Sequence, residues 1–197
     1  MFGIMMPDLF DSFPLRKARV HEACGAGATG FAAIAAARAA SDVLWIHETW
    51  RPEVLNPVGL SAFCDPAKLL VAQVNNQLEA LGVAEETLRD GAIPLVVIEL
   101  SQPLSLTAGR RLQLAAKDGG TTGLCLISEE MGSNAAETRW RCAPVFDAQD
   151  STLMAWEIIK NKAGTLGIWH VRWDRTSRRL DVVSPVGERP GSARASG

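Results

Sequence analysis

Four short apolar runs set the strongest limit on what this chain can fold into. They are residues 43–46 (V-L-W-I), 69–74 (L-L-V-A-Q-V), 93–100 (I-P-L-V-V-I-E-L) and 123–127 (G-L-C-L-I). Near-continuous apolar runs of strand length suit strands covered on both faces, as in a parallel sheet. Helical patterns lie between them. Residues 31–40 are Ala-rich, Leu78, Leu81, Ala84 and Leu88 recur at helical spacing ahead of Gly91, and residues 110–117 (R-R-L-Q-L-A-A-K) give a third helix. Strand and helix in alternation predict an α/β sheet with right-handed crossovers. The last third differs. Residues 138–145, 154–160, 168–173 and 179–183 alternate polar and apolar side chains, which predicts antiparallel strands with one face in water.

Composition narrows the function classes. The chain has 197 residues, 47% of them hydrophobic and 21% charged, enough for one domain with a core. A net charge of −2 does not announce a nucleic-acid binder. Cys24, Cys64, Cys125 and Cys142 are far apart and form no C-x-x-C, so neither a disulfide framework nor a metal site is expected. The longest uncharged stretch, residues 23–37, is too short and glycine-broken to span a membrane. No signal peptide is visible, and a cytoplasmic protein is expected. Residues 1–15 read as an N-terminal arm, 16–183 as the domain, and 184–197, rich in Pro, Gly and Ser, as a disordered tail.

The sharpest local feature is E-A-C-G-A-G-A-T-G-F-A at residues 22–32, between a strand pattern and a helix pattern. Gly25, Gly27 and Gly30 satisfy G-x-G-x-x-G, with Glu48 at the end of the next strand, where a ribose-binding acid would sit. That is the reading of a nicotinamide-dependent Rossmann-type oxidoreductase. The charges of Lys17, Arg19, His21 and Glu22 count against it, being too many for a buried central strand. The same glycines fit the phosphate-binding frame G-x-x-x-x-G-K-[ST] from Gly25. In that frame Phe31 stands where the lysine belongs and Ala32 where the metal-binding hydroxyl belongs. Such a loop can keep a backbone cradle but not the charge that phosphoryl transfer needs. Alternatively, the glycines serve only a tight turn.

Further segments carry a family resemblance. R-V-H-E-A-C-G at residues 19–25 resembles the first core strand of RecA recombinases running into their P-loop. Residues 69–100 resemble the RecA strand, helix and Walker B strand in order and spacing, with Glu99 at the place of the metal-associated Asp. W-E-I-I-K-N-K-A at residues 156–163 resembles the RecA strand whose lysines lie at the protomer interface. This segment, with G-x-W-H-V-R-W-D and R-R-L-D-V after it, resembles the ImuA family most specifically. The resemblance implies a RecA-like, P-loop-type fold, mostly parallel with antiparallel strands at its C-terminal side. It also implies a non-catalytic accessory role in SOS-induced translesion mutagenesis, with RecA, ImuB and an error-prone DnaE-type polymerase as partners. An active RecA-paralogue ATPase is the other alternative.

The departures from RecA shape the remaining expectations. The segment after Glu99 is short, and the second loop, residues 129–137, is reduced and acidic. An acidic loop repels a phosphate backbone. No catalytic residue and no cofactor is expected, though the loop leaves room for residual ATP binding at Gly25, Gly27 and Gly30. Lys160, Lys162 and Trp156 are the candidates for a protein interface, and Arg110, Arg111, Arg139 and Arg141 for DNA contact. Cys24 is expected to be a small buried hydrophobe.

Overall fold

The computed structural model describes residues 8–39, 41–52 and 55–185. Its centre is a single nine-stranded sheet. A 3-10 turn (Leu9–Asp11) leads to β1 (Val20–Cys24), α1 (Ala28–Ala37), β2 (Val43–Glu48), the one-turn α2 (Pro57–Leu60) and β3 (Leu69–Val74). Next come α3 (Gln77–Asp90), β4 (Leu95–Glu99), α4 (Leu106–Gly119) and β5 (Thr122–Leu126). The chain closes with β6 (Thr138–Pro144), β7 (Leu153–Asn161), β8 (Gly167–Asp174) and β9 (Arg179–Pro185). The strand order is β3-β2-β4-β5-β1-β6-β7-β8-β9. Pairing is parallel from β3 through β6 and antiparallel from β6 to β9, as the change of sequence pattern predicts.

The helix ends follow local chemistry. Asn76 accepts from the Glu79 N–H at the start of α3, and Ser105 from the Ala108 N–H at the start of α4. Gly91 and Gly120 end these two helices at φ +82° and +68°, where a side chain would be strained. Along β2 and β4, Trp45 and Val97 face α1 while Ile46 and Ile98 face α3 and α4. Period two thus builds two cores from one apolar run.

Three sequence expectations change. The run 69–74 is not covered on both faces: β3 is an edge strand, with Leu70 and Val71 exposed. Conversely β1 is fully buried despite its ionisable residues. Lys17 and Arg19 precede the strand, and His21 and Glu22 are both hydrogen-bonded. Within the described part of the arm, Leu9 and Phe13 pack into the core, whereas Phe10 is half exposed. The ordered chain extends through β9 to Pro185, and the rest of the expected tail, residues 186–197, lies outside the described residues.

Among the described residues no helix is long and apolar enough to cross a membrane. No cluster of three metal-ligating side chains is found among them either. All four cysteines are free and buried, Cys24 donating to the Trp140 carbonyl at 3.4 Å.

Candidate functional site: the glycine turn and its surroundings

The carboxyl ends of β1, β4 and β5 open on a cavity of about 480 Å³. Ligands in open α/β sheets gather at this end of the strands. Gly25, Thr29 and Gly30 form one wall, Glu99 and Arg51 another, and Leu60 and Phe63 the apolar side.

The glycine turn is tight. Gly25 sits at φ +88°, and a Cβ there would lie 2.5 Å from the Cys142 carbonyl oxygen. The Gly27 N–H donates to that same carbonyl at 2.8 Å. Helix α1 already starts at Ala28, so Thr29 and Gly30 are helical rather than part of a long wrapping loop. Phe31 is fully buried among Phe13, Trp140 and Trp156. The position that carries a lysine in the phosphate-binding frame therefore points into the aromatic core. Ala32 is also fully buried.

Glu99 is engaged on both oxygens. It accepts from the Trp45 indole N–H at 2.7 Å and pairs with the Arg51 guanidinium at 3.6 Å. Arg51 also donates to the Leu100 carbonyl at 2.8 Å and lies over the Trp50 ring. Its charge occupies the surroundings of the carboxylate that resembles a metal-associated acid. Arg51 was not singled out by the sequence, and the only signal for it is its place three residues past the end of β2. Glu48 accepts from Ser101 Oγ at 2.5 Å and from the Trp50 indole. β2 is separated from β1 by β4 and β5, whereas a dinucleotide fold of order 3-2-1-4-5-6 sets them side by side. That arrangement removes the basis for reading Glu48 as a ribose-binding acid and overturns the oxidoreductase alternative.

The expected interface residues lie elsewhere. Trp156 is fully buried, packed edge-on to Phe13 and Phe31, which corrects its expected place at a partner surface. Lys160 does not project outward either. Its Nζ donates to the carbonyls of Ser133, Asn134 and Ala136 at 3.1, 3.0 and 2.6 Å. Burial lowers its pKa. Lys162 donates to the Ala135 carbonyl at 2.7 Å. With the Gln113 side chain, which also reaches Ala135, these lysines hold residues 133–136 against the sheet.

Glu22 completes that clamp. It accepts from the Ser133 N–H at 2.8 Å and from Arg139 Nε at 2.7 Å, and Arg139 donates to the Ser133 carbonyl. Glu137, expected to make the loop acidic, is buried and paired with Arg16 and Arg19. The four candidate DNA-contact arginines do not form one face. Arg110 and Arg111 lie on α4, Arg139 and Arg141 on β6. Arg111 pairs with Glu85, Arg139 with Glu22, and Arg141 with Glu157 and Glu129.

Comparison with known proteins places this arrangement. No family model matches the chain. Curated proteins described as "Protein ImuA", from two strains of Caulobacter vibrioides, are each 30% identical over 153 residues, 76% of this chain. The chain is similar to these ImuA proteins. It spans 57% of the length of those relatives. A solved structure titled "Crystal structure of the RadB recombinase" matches with a TM-score of 0.61. The match covers 86% of this chain and 92% of that one, at 12% identity. The fold of this chain is RecA-like, a mostly parallel α/β sheet with antiparallel strands at its C-terminal side.

Proposed function

We propose that this chain is a non-catalytic accessory of SOS-induced translesion mutagenesis. It links or regulates RecA and the complex of ImuB with an error-prone DnaE-type polymerase, in the cytoplasm, by docking rather than by turnover. Its relation to the ImuA proteins supports the pathway. The observation that carries the non-catalytic half is the pairing of Glu99 with Arg51, together with Phe31 in the core. Phosphoryl transfer needs a metal and a lysine to neutralise charge on the transferring group. A guanidinium beside the Walker B-like acid opposes a divalent cation at the same place. The buried Phe31 supplies no charge to a β- or γ-phosphate. The consumed Gly27 N–H and the short turn leave little backbone to cradle a triphosphate. Three of the four candidate arginines are already neutralised by carboxylates, so tight binding to a DNA backbone is not expected either.

The test has two arms. Phosphate release from ATP is measured with and without single-stranded DNA, and remains at the level of a buffer blank. Release that DNA stimulates and Gly30→Asp abolishes would overturn the non-catalytic reading. Purified RecA and ImuB are then offered separately for co-precipitation. Capture of neither would overturn the docking reading.

A further inference from the structure

A second concavity lies on the molecule away from the glycine turn. It is an open groove of about 540 Å³ between α4 and the clamped segment 133–136. Leu106, Arg110 and Leu114 line it at successive turns of α4, with Ala135, Asn134 and Lys162 opposite. Leu106 is 49% exposed and Leu114 58%. The two leucines are eight residues apart, so the stripe runs about 12 Å along the helix. About half of each side chain stays uncovered by the chain's own packing, because the buried face of α4 is made by Gly109, Leu112, Ala115 and Ala116.

Charge on this groove is one-sided. No carboxylate lines it. Arg110 is exposed and has no ion-pair partner among the described residues, unlike Arg111 beside it. The Lys162 ammonium uses one of its three donors on the Ala135 carbonyl and keeps the others for a ligand. Behind the same segment Arg139 is paired with Glu22, so the positive charge that faces the groove comes from Arg110 and Lys162. The groove is therefore cationic on a chain whose net charge is −2. It is also preformed, because the lysines, Gln113 and Glu22 fix the segment that makes its far wall.

The geometry points to a docking groove for an acidic amphipathic helix of a protein partner, with apolar anchors meeting Leu106 and Leu114 and carboxylates meeting Arg110 and Lys162. Helix-in-groove recognition reads anchors at i, i+3 or i+4, and i+7, the spacing that a stripe of this length accepts. Carboxylates flanking the anchors would set register and speed encounter. A nucleic-acid strand fits less well, since phosphates gain nothing from two exposed leucines. The inference deepens the docking reading by naming its surface, but it does not depend on which damage-response protein is the partner. Peptide binding can succeed where capture of RecA and ImuB fails.

The probe is a fluorescein-labelled, 16-residue model helix with Leu at i, i+4 and i+8 flanked by Glu. Its control is a twin with every Glu replaced by Lys, and a single-stranded oligothymidylate is the competitor. Fluorescence anisotropy is read on the full chain, with circular dichroism confirming that each variant folds. The acidic helix is expected to bind at least about tenfold more tightly than its basic twin, and to weaken as salt rises. Arg110→Glu and Leu114→Asp, both at the surface, each weaken it about tenfold or more. Phe146→Ser, an exposed apolar residue outside the groove, changes it less than about twofold. Equal binding of the two twins, no binding of either, or full retention by the two groove variants would overturn the proposal. Displacement of the peptide by oligothymidylate, with oligothymidylate binding lost in Arg110→Glu, would also overturn it and assign the face to nucleic acid.

Discussion

On one face of the sheet the core is aromatic. Phe13, Phe31, Trp140, Trp156 and Trp169 form a continuous set of ring contacts around α1. On the other face, under α3 and α4, the core is aliphatic, built from residues such as Val96, Ile98, Ala84, Leu88 and Leu112. The difference follows from how much helix each face has. Two fourteen-residue helices cover the aliphatic side and close on it through alanines. A single ten-residue helix serves the aromatic side, and indoles from β6, β7 and β8 fill what it leaves open. The helix that follows the glycine turn and the aromatic core are thus one structure, because Phe31 belongs to both.

The largest expected effect comes from trying to restore the P-loop pattern. Phe31→Lys would place an unpaired charge among aromatic rings, at a cost expected to exceed about 4 kcal/mol. Denaturant unfolding should show a chain at or below the threshold of folding, and no ATP turnover should appear. A stable Phe31→Lys variant would break the claim that the glycine turn has been absorbed into the core.

Truncations compare the faces directly. Trp156→Ala should cost about 3–5 kcal/mol and Leu88→Ala about 2–4, both residues being fully buried. Equal losses in urea midpoints would say that the rings merely fill space. A loss at Trp156 above about 5 kcal/mol, beyond what the removed volume explains, would show that edge-to-face packing adds to burial.

The third test uses pH. His21 is buried on β1, with Nδ1 2.7 Å from Thr138 Oγ1 and Nε2 2.9 Å from the Arg16 carbonyl. The carbonyl can only accept, so Nε2 carries the proton, and Nδ1 accepts from Thr138, which in turn accepts from the Trp140 indole. Burial is the main cause that lowers the His21 pKa to about 4, from 6.5. The unfolded chain therefore takes up the proton first. The stabilisation is complete above 6.5 and is lost as pH falls towards 4. Between pH 7 and about 5.5 the loss should be about 1 kcal/mol. His21→Gln should lower stability at neutral pH and flatten that slope. An unchanged slope would remove His21 as its source.

The smallest effect is expected outside both cores. Phe146→Ser and Val58→Ser, at highly exposed side chains, should each shift stability by less than about 0.5 kcal/mol. A larger loss at either would reveal packing that the two-core description omits.

The sheet was legible in the sequence because hydrophobic runs report local burial. The runs at 43–46, 93–100 and 123–127 became β2, β4 and β5, and the alternating last third became β6 to β9. What local pattern could not report was partnership across the chain. Glu22 looked too polar for a central strand, yet its partners Ser133 and Arg139 lie 111 and 117 residues away. Lys160 and Lys162 read as interface lysines because the carbonyls they hold belong to another loop. Residues 69–74 are apolar for a different reason, since an edge strand can be as apolar as a central one. The glycine turn was found at once, but its closure onto the Cys142 carbonyl and the guanidinium of Arg51 near Glu99 needed coordinates.

The packing around the cysteines has a chemical consequence. A thiol reacts with peroxide, or with another oxidant, as its thiolate. Burial raises the pKa of Cys24, Cys64, Cys125 and Cys142 alike. Nearby cations do not reverse this, although Arg139 and Arg141 pull Cys24 the other way. Each sulfur is thus protonated at neutral pH and walled off from solvent. Oxidants that lesion DNA would meet no reactive thiol on this molecule while it stays folded. Loss of either core would expose thiols to sulfenic acid formation and cross-linking, so chemical damage to the chain would report its unfolding.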